Sequence, residues 1–288
     1  MAGLTVGRST VALVGPAAGG EWTVGRLHRP FLHLGGDPTF SLAVAPLDRD
    51  VPNGAVVFDS SLGWRVLTTS SGWSFVGLRA GRDYHALAVD REWRAGTAFL
   101  PARLRTGARR PFPLAYPWEM VLFASLLAHA EGAIVHAAGV VIDGQGWIFA
   151  GTHGAGKSTL ARLFRTRRDV IVLNDDRLAI RRVDGRFMVF GTPWAGSARA
   201  SADASAPLRG VCLIRHGRAT TPRRLTPGQA APRLIARCLH PYWDRAATAA
   251  LLDTIAQLVA HVPCYDLPFT PSLRSILNGI RRAKTATF

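Results

Sequence analysis

Residues 151–158 read Gly-Thr-His-Gly-Ala-Gly-Lys-Ser, and this octapeptide restricts the fold more than any other stretch of the chain. It satisfies the G-x-x-x-x-G-K-[ST] pattern of a phosphate-binding loop. Glycines let the backbone turn tightly, so that successive N–H groups converge on one anion. The lysine reaches outer phosphates, and the serine hydroxyl suits Mg²⁺. Such a loop joins a buried strand to a helix whose N-terminus favours negative charge. Residues 146–150 are strand-like, and residues 158–164 carry apolar side chains at helical spacing. The chain has only two lysines, Lys157 and Lys284, so the lysine of the pattern is not a by-product of a lysine-rich composition. The alternative is an ordinary glycine turn between strand and helix. The expected phosphate-binding set is Gly151, Thr152, His153, Gly154, Ala155, Gly156, Lys157, Ser158 and Thr159, acting mostly through backbone.

At 288 residues the chain holds one large domain or two modest ones. Its N-terminus lacks the basic-then-apolar order of a signal peptide. The longest mainly apolar run, residues 120–128, is too short to span a bilayer. A cytoplasmic protein with no membrane partner is expected. The three cysteines lie far apart, with no C-x-x-C pair and no zinc spacing, so free thiols are expected. The net charge of +16 comes almost entirely from arginine. Either the surface attracts polyanions or acidic peptides, or a coding bias has replaced lysine with arginine. No nucleic-acid motif accompanies the charge, so no specific nucleic-acid partner is expected.

Residues 1–113 read as a smaller β-rich N-terminal region. Short β-type runs at 55–58, 64–67, 73–76 and 84–89 are separated by Gly, Ser and Asp turns, which predicts an antiparallel β layer. Residues 101–113 read as an Arg/Pro-rich linker. Residues 114–288 read as a nucleotide-binding domain of α/β (α+β) class. Its expected elements are a helix from Pro117, a strand over 133–142, an Asp143-Gly144 turn and the strand feeding the loop. A buried strand at 170–173, a hairpin over 178–190 turned at Asp184-Gly185, and a strand at 211–214 follow. Helices at 227–239, 242–261 and 271–282, with a short strand at 264–267, complete the reading.

Asn174-Asp175-Asp176 closes the strand after the loop helix. Phosphoryl transfer needs a carboxylate near Mg²⁺ and a base for the attacking hydroxyl. At a strand end the two side chains point to opposite sides, so they cannot share one job. The alternative is a solvated turn.

The order of His136-Ala-Ala-Gly-Val-Val141, a hairpin, residues 151–159 and Asn174-Asp175-Asp176 resembles the HPr serine kinase/phosphorylase family, whose core is shared with phosphoenolpyruvate carboxykinases. The resemblance covers residues 115–195. It implies a phosphate-loop core with a mixed sheet and β-hairpins, and an ATP- and Mg²⁺-dependent kinase acting on a Ser/Thr hydroxyl of a peptide or small protein. It implies that Lys157 binds the β- and γ-phosphates, Ser158 and Asp176 hold Mg²⁺, Asp175 takes the acceptor proton and His136 positions charge; the reverse division between the two aspartates is the alternative. The family's Glu-Ile-Arg-Gly stretch has no counterpart, and Gly191-Thr-Pro-Trp194 stands in its place. Arg177 and Arg199 are the arginines nearest in sequence for a γ-phosphate contact. Other readings are a nucleotide-binding regulatory module without catalysis and a small-molecule kinase or ATPase. Assembly as a homo-oligomer stays open.

Overall fold

The computed structural model describes residues 2–15, 22–47, 51–61, 63–79, 82–105, 110–114, 117–217 and 221–285. Part of the expected linker, residues 106–109, lies outside this set. The chain is mixed α/β and forms two compact units. One is Met1–Leu126 with Pro241–Arg245, and the other is Leu127–His240 with Ala246–Phe288.

The first unit is built on β1 (Ala2–Val6), β2 (Ser9–Leu13), β3 (Trp22–Thr23), β4 (Leu32–Leu34), β5 (Phe40–Pro46), β6 (Ala55–Asp59), β7 (Trp64–Thr68), β8 (Gly72–Arg79), β9 (Arg82–Asp90) and β10 (Ala95–Leu100). The short α1 (Ala102–Arg105), β11 (Arg110–Pro111) and most of α2 (Trp118–Ala128) follow. Nine strands pair in the order β4-β1-β2-β5-β10-β9-β8-β7-β6. The expected antiparallel layer is thus the half from β6 to β10, whereas β5 lies parallel to both β2 and β10. Parallel neighbours need long connections, so local turn signals do not reveal them. Phe40, Leu42, Phe75 and Leu87 are fully buried here. Trp93 Nε1 donates to Asp244 Oδ2 at 2.9 Å, and Trp73 Nε1 donates to the Trp243 carbonyl at 3.1 Å. These bonds explain why residues 241–244 are not the first turn of the expected helix at 242–261.

The second unit comprises β12 (Gly132–Ile142), β13 (Gln145–Ala150), α3 (Lys157–Phe164), β14 (Val170–Asn174), β15 (Arg177–Val183), β16 (Arg186–Phe190), β17 (Ser205–His216), β18 (Arg223–Arg224), α4 (Pro227–Ile235), α5 (Arg245–His261), β19 (Cys264–Phe269) and α6 (Leu273–Thr285). The strands β13-β12-β15-β16-β17 close on themselves, because β17 also pairs with β13. Alternation along β13 serves two cores. Trp147 and Phe149 face Leu160 and Phe164 of α3 and Ile276 of α6, while Ile148 and Ala150 join Leu251 and Ile255 of α5. β13 and β14 run parallel on either side of β12, with α3 crossing between them. Residues 170–183 therefore follow the whole of β12 antiparallel, with a register shift at Gly139/Val140 and a break at Asp175-Asp176.

Candidate functional site

Ala137 of β12 marks the level of the site. On one side it is registered with Ala150, the last residue before the glycine loop. On the other, its N–H donates to the Asp176 carbonyl at 3.0 Å. Strand spacing sets these two points about 10 Å apart. The loop exit and the aspartate pair thus sit at one level on either side of β12.

The break at Asp175-Asp176 has a local cause. The Asn174 side chain is fully buried, and its Oδ1 accepts N–H bonds from Asp176 at 2.7 Å and Arg177 at 2.9 Å. A side-chain amide oxygen replaces a strand partner, and the backbone turns out of the ladder. Asn174 Nδ2 donates to the Thr192 carbonyl at 2.7 Å, which anchors the turn to the loop after β16.

Alternation then separates the two carboxylates. Asp175 is completely buried. It accepts backbone N–H bonds from Gly196 at 2.9 Å, Ala198 at 2.9 Å and Ala200 at 3.2 Å. Asp176 is about one-third exposed and lines a cavity of about 340 Å³. That cavity is also lined by His136, His153, Gly156, Lys157 and Ser158. The expectation that Asp175 takes a substrate proton does not suit its surroundings, because three amides already engage its oxygens away from the cavity lining.

The loop holds its lysine inward. Gly154 and Gly156 adopt φ of +78° and +100°, a left-handed region costly for side chains bearing Cβ. Lys157 Nζ donates to the carbonyls of Gly151 at 3.0 Å and Thr152 at 2.9 Å. Burial, with the nearby charge of Arg237, lowers the Lys157 pKa, while Asp176 opposes the shift. The Asp176 pKa is raised, first by burial and then by Asp175, with Lys157 and His153 opposing. His136 Nδ1 stands 3.3 Å from Asp176 Oδ1, and an Arg177 guanidinium nitrogen donates to Oδ2 at 2.8 Å.

Of the expected residues, His136, His153, Gly154, Gly156, Lys157, Ser158, Thr159 and Asp176 come together around this cavity. Gly151, Thr152 and Ala155 complete the loop behind it. Arg177 is paired with Asp176, and Arg199 is exposed with φ of +49°. Arg162 and Ser197 line the cavity and were not anticipated. Arg162 stands on the polar side of α3, and Ser197 comes from a loop that no local pattern connects to the site. Ser158 and Asp176 offer a hydroxyl and a carboxylate in one cavity, the hard oxygen donors that suit Mg²⁺. Among the described residues, no group of three or more His, Cys, Asp or Glu forms a metal cluster.

A larger cavity, about 470 Å³, lies within the first unit among Trp64, Leu78, Tyr84, His85, Phe112 and Trp118. Its lining is mainly apolar and brings no carboxylate together with a cation, so the smaller cavity is the better-equipped site. Among the described residues, no helix is long and apolar enough to cross a membrane. All three cysteines are free.

No model of a known protein family matches the chain, and no curated protein matches it. Among solved structures, the HPr(Ser) kinase/phosphatase from Coxiella burnetii is similar at 14% identity, over 53% of this chain and 90% of that one. The TM-score is 0.31, too slight for the likeness to bear on fold or activity.

Proposed function

We propose that the chain is an ATP- and Mg²⁺-dependent kinase of HPr-kinase-like type, transferring the γ-phosphoryl group to a Ser/Thr hydroxyl of a peptide or small protein. The observation that carries this reading is the convergence of Lys157, Ser158 and Asp176 on one cavity at the mouth of the glycine loop. A bare anion-binding loop needs no carboxylate facing it; phosphoryl transfer does.

The loop amides and Lys157 hold the outer phosphates. Ser158 and Asp176 would hold Mg²⁺, which would supply positive charge to neutralise the phosphates. Asp176 also takes the acceptor proton, since it is the carboxylate in the cavity lining. His136 and Arg177 orient that carboxylate. The acceptor oxygen bonds to the γ-phosphorus as the bond to the bridging oxygen breaks, and ADP leaves. Asp175 has a separate task, fixing the turn at residues 196–200.

The test is mass spectrometry of serine- and threonine-containing peptide pools after incubation with ATP and Mg²⁺. Acceptor-dependent ADP and a phosphate mass increment, both lost in Lys157→Ala, are expected. Bound but unchanged ATP would make the chain a nucleotide-sensing module, and failure to bind ATP would overturn the reading.

A further inference from the structure

Arg162 lines the cavity and has no task in the phosphate-loop reading above. Several arginines of this unit meet carboxylates: Arg177 with Asp176, Arg215 and Arg233 with Asp266, Arg167 with Asp169, Arg182 with Glu131; others, such as Arg165, bond backbone carbonyls. Arg162 lines the cavity, yet its hydrogen bond runs to a neutral group, with a guanidinium nitrogen donating to Ser197 Oγ at 3.2 Å. Among the described residues, no carboxylate lies within ion-pair distance of it. An unneutralised guanidinium at a cavity wall is a ready partner for an incoming anion.

The position argues that this anion is distinct from the triphosphate. Arg162 stands five residues beyond Lys157 on α3, about 7.5 Å further along the axis and about 140° around it. The loop amides serve phosphates at the N-terminus of that helix, so Arg162 flanks them. Its partner Ser197 follows Gly196, whose backbone lies against the aspartates. A Cβ built on Gly196 would come within 2.9 Å of Asp176 Cβ. Ser197 and Arg162 therefore border Asp176, where the acceptor hydroxyl must sit. The Asp175 bonds hold this border in place, and Arg165 adds a bond to the Ala198 carbonyl at 3.0 Å.

We propose that Arg162, held by Ser197, is a specificity-determining residue that selects acceptors carrying a carboxylate close to the reacting hydroxyl, such as a peptide with Asp or Glu beside its serine. This rests on the kinase reading given above.

The experiment uses the full chain saturated with ADP and Mg²⁺. Two fluorescent peptide pools with a central serine are titrated in, differing only in Asp or Asn at the flanking positions. The Asp pool should bind about tenfold more tightly to the wild type. Arg162→Gln should abolish the difference while leaving ADP affinity within about twofold. Arg186→Gln, at an exposed position on β16, controls for the general positive field and should preserve the preference. Equal binding of the two pools to nucleotide-loaded wild type, or a preference that survives Arg162→Gln, overturns the inference and leaves the kinase reading standing. Absence of ADP and ATP binding overturns both.

Discussion

The backbone N–H of Gly196 donates to Oδ1 of Asp175 at 2.9 Å, one of three amide bonds that make this buried carboxylate the fixed point of a loop. Its neighbour Asp176 keeps its side chain in the cavity. Adjacent residues of one type thus differ in surroundings, one carboxylate tied to a loop and the other lining the cavity.

This division separates two substitutions. Asp175→Asn replaces an acceptor-only group with one whose NH₂ opposes amide donors. It should destabilise the fold by about 2–3 kcal/mol. Asp176→Asn should leave thermal stability within about 1 kcal/mol and slow transfer by about 10²–10⁴-fold. Denaturant unfolding and ADP release, measured on both variants, check the contrast. Equal stability losses would contradict it.

Lys157→Ala should abolish nucleotide binding measurable by calorimetry, a loss of about 100-fold or more, since the outer phosphates lose their cation. Among the described residues its Nζ bonds run only to two carbonyls of its own loop, so unfolding free energy should fall by about 1–3 kcal/mol and leave the chain folded. A variant that still bound ATP normally would show that the loop does not hold phosphate.

Gly196→Ala tests the close approach of the loop to the aspartates. The added Cβ would lie 2.8 Å from Asp175 Oδ2 and 2.9 Å from Asp176 Cβ. The loop must shift, at a cost of about 1–3 kcal/mol, and the Asp176 side of the cavity shifts with it. Both the melting temperature and the transfer rate should fall. A rate unchanged in a destabilised variant would detach this loop from the site.

The first unit carries its own pH response. His85 is buried, and its Nε2 has no hydrogen-bond partner among the described residues. Burial lowers its pKa from 6.5 to about 4, against a hydrogen bond to the Pro113 backbone. In the unfolded chain it protonates near 6.5, so the unfolded state binds the extra proton between pH 6.5 and 4. Stability is therefore full above pH 6.5 and falls through that window, by up to about 3 kcal/mol. Urea unfolding at pH 7, 5.5 and 4.5 should show the decline, and His85→Phe should flatten it. A variant with the same pH dependence as the wild type would assign the decline to other groups.

Local chemistry made much of the second unit readable. The loop strand, its helix, and the turns at Asp143-Gly144 and Asp184-Gly185 need only neighbouring residues, and β12, β13, α3, β15 and β16 lie where those signals place them. The two-sided projection of Asp175 and Asp176 follows from strand geometry, but which one meets the cavity depends on residues 196–200, brought in by tertiary structure. For the same reason Ser197 was out of reach of the sequence. In the first unit, β5 takes parallel neighbours on both sides, so no local turn signal marks its pairings. The expected strand at 211–214 is only the middle of β17, whose ends serve pairings with β16 and β19.

The contacts of Lys157 with Gly151 and Thr152 would make the proposed anion capture an exchange. A phosphate recruiting Nζ as proposed would compete with two existing hydrogen bonds, so its net enthalpy would be smaller than a count of new contacts implies. The ammonium is thus solvated by its own main chain rather than left as a bare charge in the cavity wall.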